Sequence, residues 1–389
     1  MRLLFLAPSP PHPTMGGGAL RMFHLVQFLA QRFEVDLVAP ALEGTKEAAR
    51  LAQRHCHEVV LVPPSPGGAW RRRLRLGPYE RDPALAETIQ ERLASHAYAA
   101  VHVEKPAMLP YVSSTVGIPI VLDTFAYGLT GAVRALRHER GGLTRVRNLL
   151  RLARFAAFDA WCWPETHCIL VVSEPDRQRC LRERPHRRVL LVPNGVDCTA
   201  IPPKPWGTSG PPVLLFTGDL SFDPNVQAAA VLATEAFPAI RRSCPEVELR
   251  LVGRTPVPRV LALRSPGITV LADVPEMLPH LHAATIYVAP LATGAGTRTK
   301  LLEAMAAGLP IVTSSVGLEG IEATPGREVM IVDDPAATAS TVVQLLQDPG
   351  RRQRLGQAAR RLAESRYDWA TCLAPVEALY AELLPRRTS

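Results

Sequence analysis

The run Thr293 to Pro310 is the part of the chain whose residue types and spacing best suit chemistry. It reads Thr-Gly-Ala-Gly-Thr-Arg-Thr-Lys-Leu-Leu-Glu-Ala-Met-Ala-Ala-Gly-Leu-Pro. A Gly-rich turn with Gly294 and Gly296 runs through Thr297 into a short helix that carries Arg298, Lys300 and Glu303. Gly308 closes the helix, and a strand starts at Ile311. Free amides at a helix N-terminus attract anions. An arginine forks onto phosphate oxygens, a lysine acts as a point charge, and a carboxylate accepts two hydroxyl donors at once. Cations are mildly unfavourable at a helix start, so Arg298 and Lys300 there point to a bound anion. A ligand with phosphates at one end and hydroxyls at the other, such as a sugar nucleotide, fits this set.

Smaller groups of candidates lie elsewhere. Gly16, Gly17 and Gly18 follow the first apolar run and let a ligand approach the backbone closely, or simply form a flexible turn. His102 and Asp123 stand at the carboxyl ends of strands read over Ala99 to Val103 and Pro119 to Leu122. Ligands bind at that edge in open α/β sheets. The plain readings are a strand-end histidine and a helix-cap or loop acid. Gly218 and Arg254 each follow a strand in the second half.

These residues need a frame, and the chain supplies one twice. Leu3 to Ala7 is a continuous apolar run, as in a buried parallel strand. A helix patterned on Leu20, Phe23, Leu25, Val26 and Leu29 follows, then a strand at Val35 to Ala39. Strands at Val59 to Val62, Cys168 to Val172 and Val189 to Val192 extend the unit, with a long amphipathic helix at Leu143 to Trp163. Ile201 to Pro212 is rich in proline and glycine and reads as a linker. Strands and helices then alternate again from Val213. The fold class is therefore α/β with two doubly wound domains, and their strand ends are expected to face a cleft. The boundaries read as 1–200, a linker 201–212, 213–367 and a terminal segment 368–389.

Composition narrows the classes further. A chain of 389 residues with 47% hydrophobic and 21% charged residues is long enough for two cores. The formal net charge is +8, carried almost wholly by arginine, since lysine occurs only at Lys46, Lys105, Lys204 and Lys300. Aromatics make up 6% with no basic-aromatic repeat beyond Trp70 to Leu76, which argues against nucleic acid as a partner. The 7 cysteines include no Cys-x-x-Cys, so reduced thiols in the cytoplasm are expected. No run approaches a spanning helix. Trp70 to Leu76 interleaves arginine with tryptophan and leucine, and it marks a candidate peripheral contact at the inner membrane face or a solvated loop. No Asp-x-Asp occurs, so no metal is expected at the ligand site.

The chain resembles glycosyltransferase family 4, whose members have the two-domain GT-B fold. The resemblance rests on Met1 to Pro40, on Pro193-Asn194-Gly195-Val196-Asp197, on Phe216-Thr217-Gly218 and Leu251-Val252-Gly253, and above all on Pro290 to Gly320. Asp368-Trp369 and the last helix look like the segment that crosses back to the first domain in that fold. The resemblance implies transfer of a sugar, with retention, from a UDP- or GDP-linked donor to a glycan, lipid-linked or small-molecule acceptor. It puts the donor on the second domain, with Glu303 on the ribose hydroxyls, and the acceptor on the first.

Three departures qualify it. Ala295 stands where the family usually has a second glutamate, as in a branch with Gly-x-Gly-Thr-Arg before Lys and Glu. The stretch Gly218 to Asn225 lacks the family's diphosphate cations, which leaves Arg298, Lys300, Thr297, Gly296 and Arg254 to bind the donor. Phe125 stands where many members have a histidine, which leaves Asp123 and His102 as the catalytic candidates. Two other readings stay open: a sugar-nucleotide-binding protein without transfer, and a GT-B nucleotide-sugar epimerase.

Overall fold

The computed structural model describes residues 1–13, 16–42, 44–65, 81–112, 117–124, 146, 149, 153, 166–185, 187–207, 210–293 and 297–383. The readings at Trp70 to Leu76, at Phe125, over most of Leu143 to Trp163 and at Gly294 to Gly296 lie outside these residues. The chain divides into two compact units. The first comprises Met1–Pro193 and Leu373–Ser389, and the second Asn194–Cys372.

The first unit is built on a seven-stranded sheet. Its strands are β1 (Arg2–Leu6), β2 (Glu34–Pro40), β3 (Glu58–Val62), β4 (Tyr98–Glu104), β5 (Ile120–Thr124), β6 (Cys168–Val171) and β7 (Arg188–Leu191). All pair in parallel, in the order β3-β2-β1-β4-β5-β6-β7. The central strands are buried along nearly their whole length, which explains their unbroken apolar sequence. Leu4, Leu6, Val38, Val101, Val103 and Leu122 form the heart of one core cluster. The first helix runs Gly17–Ala30, and its buried stripe is Arg21, Met22, Leu25, Val26 and Leu29. Leu20 and Phe23, expected on that stripe, are only partly buried. The helix is rotated so that Arg21 is inside, where it pairs with Asp123.

The second unit repeats the plan with a six-stranded parallel sheet. Its strands are β8 (Val213–Asp219), β9 (Glu248–Arg254), β10 (Ile268–Ala272), β11 (Ile286–Ala289), β12 (Ile311–Thr313) and β13 (Met330–Ile331), ordered β10-β9-β8-β11-β12-β13. In both sheets the chain starts in the middle, winds outward, then returns to the other side of the starting strand. The reversal lies between β1 and β4 and between β8 and β11. That crevice is where doubly wound sheets take ligands.

Three differences from the sequence reading have local causes. The stretch Asn194 to Ile201 belongs to the second unit, because Val196 bridges Asp368 and Gly195 lies against Trp369 so closely that a Cβ would strike its ring. The start of the expected linker is also bound there. Lys204 is 7% exposed, its ammonium donates to the Ala284 carbonyl, and its amide donates to the Ala307 carbonyl at 2.9 Å. The helix Trp369–Leu383 contains the second division, so its later turns belong to the first unit. There Tyr380 is fully buried and Arg32 and Arg188 pair with Glu377 and Glu382. Among the described residues no helix is long and apolar enough to cross a membrane.

Candidate functional site

The switch point of the second sheet gathers most of the expected ligand residues. The helix Thr299–Ala306 follows β11 and buries Leu301, Leu302, Ala304, Met305 and Ala306. That stripe leaves Lys300 and Glu303 on the partly exposed side. Lys300 does not point to solvent. Its ammonium donates to Asn225 Oδ1 at 2.6 Å and lies 4.6 Å from the centre of the Phe216 ring. It thereby reaches the carboxyl end of β8, where Gly218 stands.

Gly218 is a glycine for a steric reason. A Cβ there would meet Lys300 Nζ at 2.6 Å and Asn225 Nδ2 at 2.8 Å. The neighbouring Gly253 on β9 is equally constrained, since its Cβ would sit 1.7 Å from the Gly218 carbonyl oxygen. The two glycines let β8 and β9 end close together under the lysine.

The charges here are perturbed by their surroundings. Burial, reinforced by Arg298, lowers the Lys300 ammonium to about 7. Burial pushes the Glu303 carboxyl up to about 7, and Lys300 offsets only part of that rise. Among the described residues no hydrogen bond or ion pair reaches the Glu303 carboxylate. Buried Tyr287 lies near Glu303 and is held by a 2.8 Å hydrogen bond with Thr217. A partly buried carboxylate without a donor is suited to ligand hydroxyls.

The other donor-side candidates stand as follows. Thr297 is 7% exposed, and its carbonyl accepts from Asn194 Nδ2 at 3.4 Å. Arg298 immediately precedes the helix, and its charge is felt at Lys300. Gly296 lies outside the described residues. Arg254 ends β9 and pairs with Asp219 at 3.7 Å, with both side chains well exposed.

In the first unit, His102 and Asp123 are both 0% exposed. Asp123 Oδ2 accepts from Arg21 Nε at 2.9 Å, and Arg21 also donates to the carbonyls of Val192 and Pro193. This ion pair is what turns the first helix inward at Arg21. His102 stacks on Phe5 with ring centres 4.7 Å apart, and its Nδ1 lies 2.7 Å from the Tyr380 hydroxyl. Its Nε2 lies 3.3 Å from Glu104 Oε1. Burial raises Asp123 to about 6 and Glu104 to about 7, and it lowers His102 to about 4. Glu104 Oε2 and Asp123 Oδ1 are buried without a hydrogen-bond partner. Gly16, with φ 95°, caps the first helix, whose opening turn bears no acid and no side-chain cap.

Among the described residues two groups of side chains have metal-ligand types in reach of one another: His102 with Glu104 and Asp123, and Asp36 with His57 and Glu58. Each already has a guanidinium on a carboxylate, Arg21 in the first and Arg92 in the second. Positive charge is thus supplied by the chain itself in both.

Sequence reasoning placed Glu104 beside His102 at the strand's carboxyl end but missed Asn225, Arg21 and Tyr380. The helix Asp223–Val231 has Pro224 in its first turn, so Asn225 read as an ordinary helix-start residue. Arg21 sits four residues before Leu25 on the buried stripe, and that register was the available signal.

Comparison with known proteins follows from this geometry. A model described as Glycosyltransferase Family 4 matches residues 15–200, and one described as Glycosyl transferases group 1 matches residues 211–348. The chain is 25% identical over 385 residues to a GDP-mannose-dependent alpha-(1-6)-phosphatidylinositol monomannoside mannosyltransferase of Mycolicibacterium smegmatis, covering 92% of this chain and 93% of that one. It is 30% identical over 207 residues to glycogen synthase of Mycobacterium tuberculosis, a match spanning 49% of this chain and only 48% of the synthase. In fold it is similar to sucrose-phosphate synthase of Thermosynechococcus elongatus, with a TM-score of 0.73, 16% identity and 98% of each chain covered. It is likewise similar to Alr3699/HepE of Anabaena, solved in complex with UDP and glucose, with a TM-score of 0.70, 15% identity, and 98% of this chain and 100% of that one covered. Two doubly wound parallel-sheet units, a last helix returning to the first of them, and family matches on both halves define one class. It is the GT-B fold, and each half of the chain matches a glycosyltransferase family model.

Proposed function

We propose that the chain transfers a sugar, with retention, from a UDP- or GDP-linked donor to a glycan, lipid-linked or small-molecule acceptor. The observation that carries this reading is the Glu303 carboxylate. It is partly buried at the β8/β11 switch point, without a hydrogen-bond donor among the described residues, beside an ammonium held at the end of β8. The donor ribose hydroxyls would bond Glu303, and the diphosphate would meet Lys300 and Arg298 at the helix start. Preorganised cations of this kind stabilise the charge that develops on a leaving diphosphate. With two cations supplied, and Arg254 at the end of β9 paired with Asp219 of β8, the donor side needs no metal in this reading. Lys300 at Gly218 also replaces the cations missing after β8, which suits the variant motif with Ala295.

On the acceptor side, Asp123 and His102 are too enclosed to touch an acceptor directly. We assign them to positioning the ends of β4 and β5; Gly16 caps the first helix, and Gly17 and Gly18, expected in a turn, form its opening residues. A lipid-linked acceptor is favoured by the name of the Mycolicibacterium smegmatis relative, a phosphatidylinositol monomannoside mannosyltransferase. A cytoplasmic enzyme meeting the inner membrane face through Trp70 to Leu76 would suit such an acceptor.

The test is donor titration of wild type, Glu303→Ala and Arg298→Ala with UDP- and GDP-sugars. Glu303→Ala is expected to weaken binding by about 100-fold, the loss of two hydrogen bonds to a charged group. Unchanged affinity in both variants would sink the site assignment. Label from the bound donor should appear in cell lipid or glycan extracts. Turnover of the donor without acceptor would instead point to epimerisation.

A further inference from the structure

We infer that Asn225 is a positioning residue for the proposed transfer: its side-chain amide links the Asp219 carbonyl to the Lys300 ammonium and so holds Lys300 at the end of β8, where a donor diphosphate would meet it. The inference rests on the donor reading above and names the residue that makes Lys300 available to it.

The orientation of the amide follows from its partners. Asn225 Nδ2 donates to the Asp219 carbonyl at 2.8 Å. A carbonyl can only accept, so Oδ1 must face the other way, toward Lys300 Nζ at 2.6 Å. Asn225 is itself 7% exposed and set by its backbone, whose amide donates to the Phe222 carbonyl at 2.8 Å. Pro224 holds the helix start in place just before it. The bridge therefore runs from the rigid end of β8 to the tip of a side chain on another element.

The ammonium has other described neighbours. The fully buried Phe216 ring lies beneath it, excluding water there and contributing a cation–π contact. Gly218 lies against it with no Cβ, which is the only side chain that fits. The charged groups that act on it are Arg298, Glu303 and Asp219. Arg298 repels it and Glu303 and Asp219 attract it, yet the ion pairs of the described residues include none between Lys300 and a carboxylate. A neutral amide oxygen thus keeps the lysine in place without neutralising it. A carboxylate at that position would hold the lysine as well but would compete with phosphate for its charge. This is the physical reason for an asparagine there.

The experiment titrates UDP, GDP, ADP and inorganic pyrophosphate separately into the full chain by calorimetry. The proteins are wild type, Asn225→Ala, Lys300→Met and the double variant. Asn225→Ala is expected to weaken the nucleoside diphosphate that wild type binds by about tenfold, and Lys300→Met by at least as much. The double variant is expected to bind no worse than Lys300→Met alone, because Asn225 acts only through the lysine. A merely structural role predicts a second, full loss on top of Lys300→Met, and that result overturns the inference. So does Asn225→Ala binding like wild type while Lys300→Met does not, which leaves the donor reading standing. If wild type binds none of the four probes, the donor reading falls and the inference with it. Asn225→Asp serves as the second variant should Asn225→Ala not fold. It keeps an acceptor on Lys300 and adds a negative charge, so the pH at which diphosphate affinity declines should move upward. An unmoved pH profile contradicts positioning.

Discussion

Each sheet carries a cluster of charged side chains at the same place, the carboxyl edge beside the switch point, and the two clusters are opposite in character. In the first unit Arg21, Asp123, Glu104 and His102 are all 0% exposed and answer one another. In the second, Lys300 and Glu303 are only partly buried, and the carboxylate has no donor from the described residues. The strand-edge rule places both equally well. What separates them is access. A sealed set of charges organises the chain ends that form it, whereas a reachable acceptor beside a held cation is equipped for a ligand. The glycines mark the same contrast: Gly218 and Gly253 are required by contact with Lys300 and each other's backbone, while Gly16 is required by its φ of 95° at a helix start.

The comparison breaks first if the sealed cluster proves dispensable. Asp123→Ala leaves the Arg21 guanidinium buried without its carboxylate. It is expected to lower the stability of the protein by about 3–5 kcal/mol, read by urea unfolding. A change near zero would mean that Arg21 is solvated and the cluster is not sealed.

A smaller effect sharpens the account of its electrostatics. Burial raises Glu104 from 4.5 to about 7. Between those values the folded chain keeps a proton that the unfolded chain has released, so this contribution is complete at low pH and is lost as pH rises through about 7. Asp123, raised from 3.8 to about 6, acts with the same sign over a lower window. His102, lowered from 6.5 to about 4, acts with the opposite sign and gains over that interval as pH rises. Glu104→Gln removes the largest loss. The variant should exceed wild type by about 1–3 kcal/mol near pH 8, with the difference vanishing near pH 4.5. Denaturant titration at the two pH values measures it, and a variant less stable than wild type at the higher pH would contradict the buried-acid account.

The smallest effect concerns the open cluster. Lys300 is held to about 7, so it loses its charge as pH rises through neutrality, while Glu303, raised to about 7, gains one. Both changes make the site less positive. Affinity for the bound nucleoside diphosphate should fall several-fold between about pH 6 and about pH 8, and Lys300→Met should flatten that fall. A flat profile in wild type would place the diphosphate away from Lys300.

The legible part of the molecule was the part governed by local rules. Apolar runs such as Leu3 to Leu6 and Val213 to Phe216, each followed by a turn and a helix, gave parallel strands in both units. The helix carrying Lys300 and Glu303 was legible because its chemistry lies within a few consecutive residues. Asn225 was not, since its local role at a helix start already accounts for it. Arg21 was hidden by the expectation that a buried stripe is apolar, and its partner Asp123 is 102 residues away in sequence. The linker reading at Ile201 to Pro212 rests on prolines, which signal irregular backbone without saying what that backbone packs on. Lys204 is buried there by the carbonyl of Ala284.

Periodicity, glycine placement and residue type in the chain alone determined two doubly wound domains and a helix with Arg298 at its start and Lys300 and Glu303 along it. Those properties depend on neighbours within one turn or one strand. Tertiary structure alone decided which charges are sealed and which stay open, where Lys300 points, and that Asn225 holds it. Each of these depends on distance and burial between residues far apart in the chain, where a hydrogen bond of 2.6 Å and a missing Cβ set the outcome.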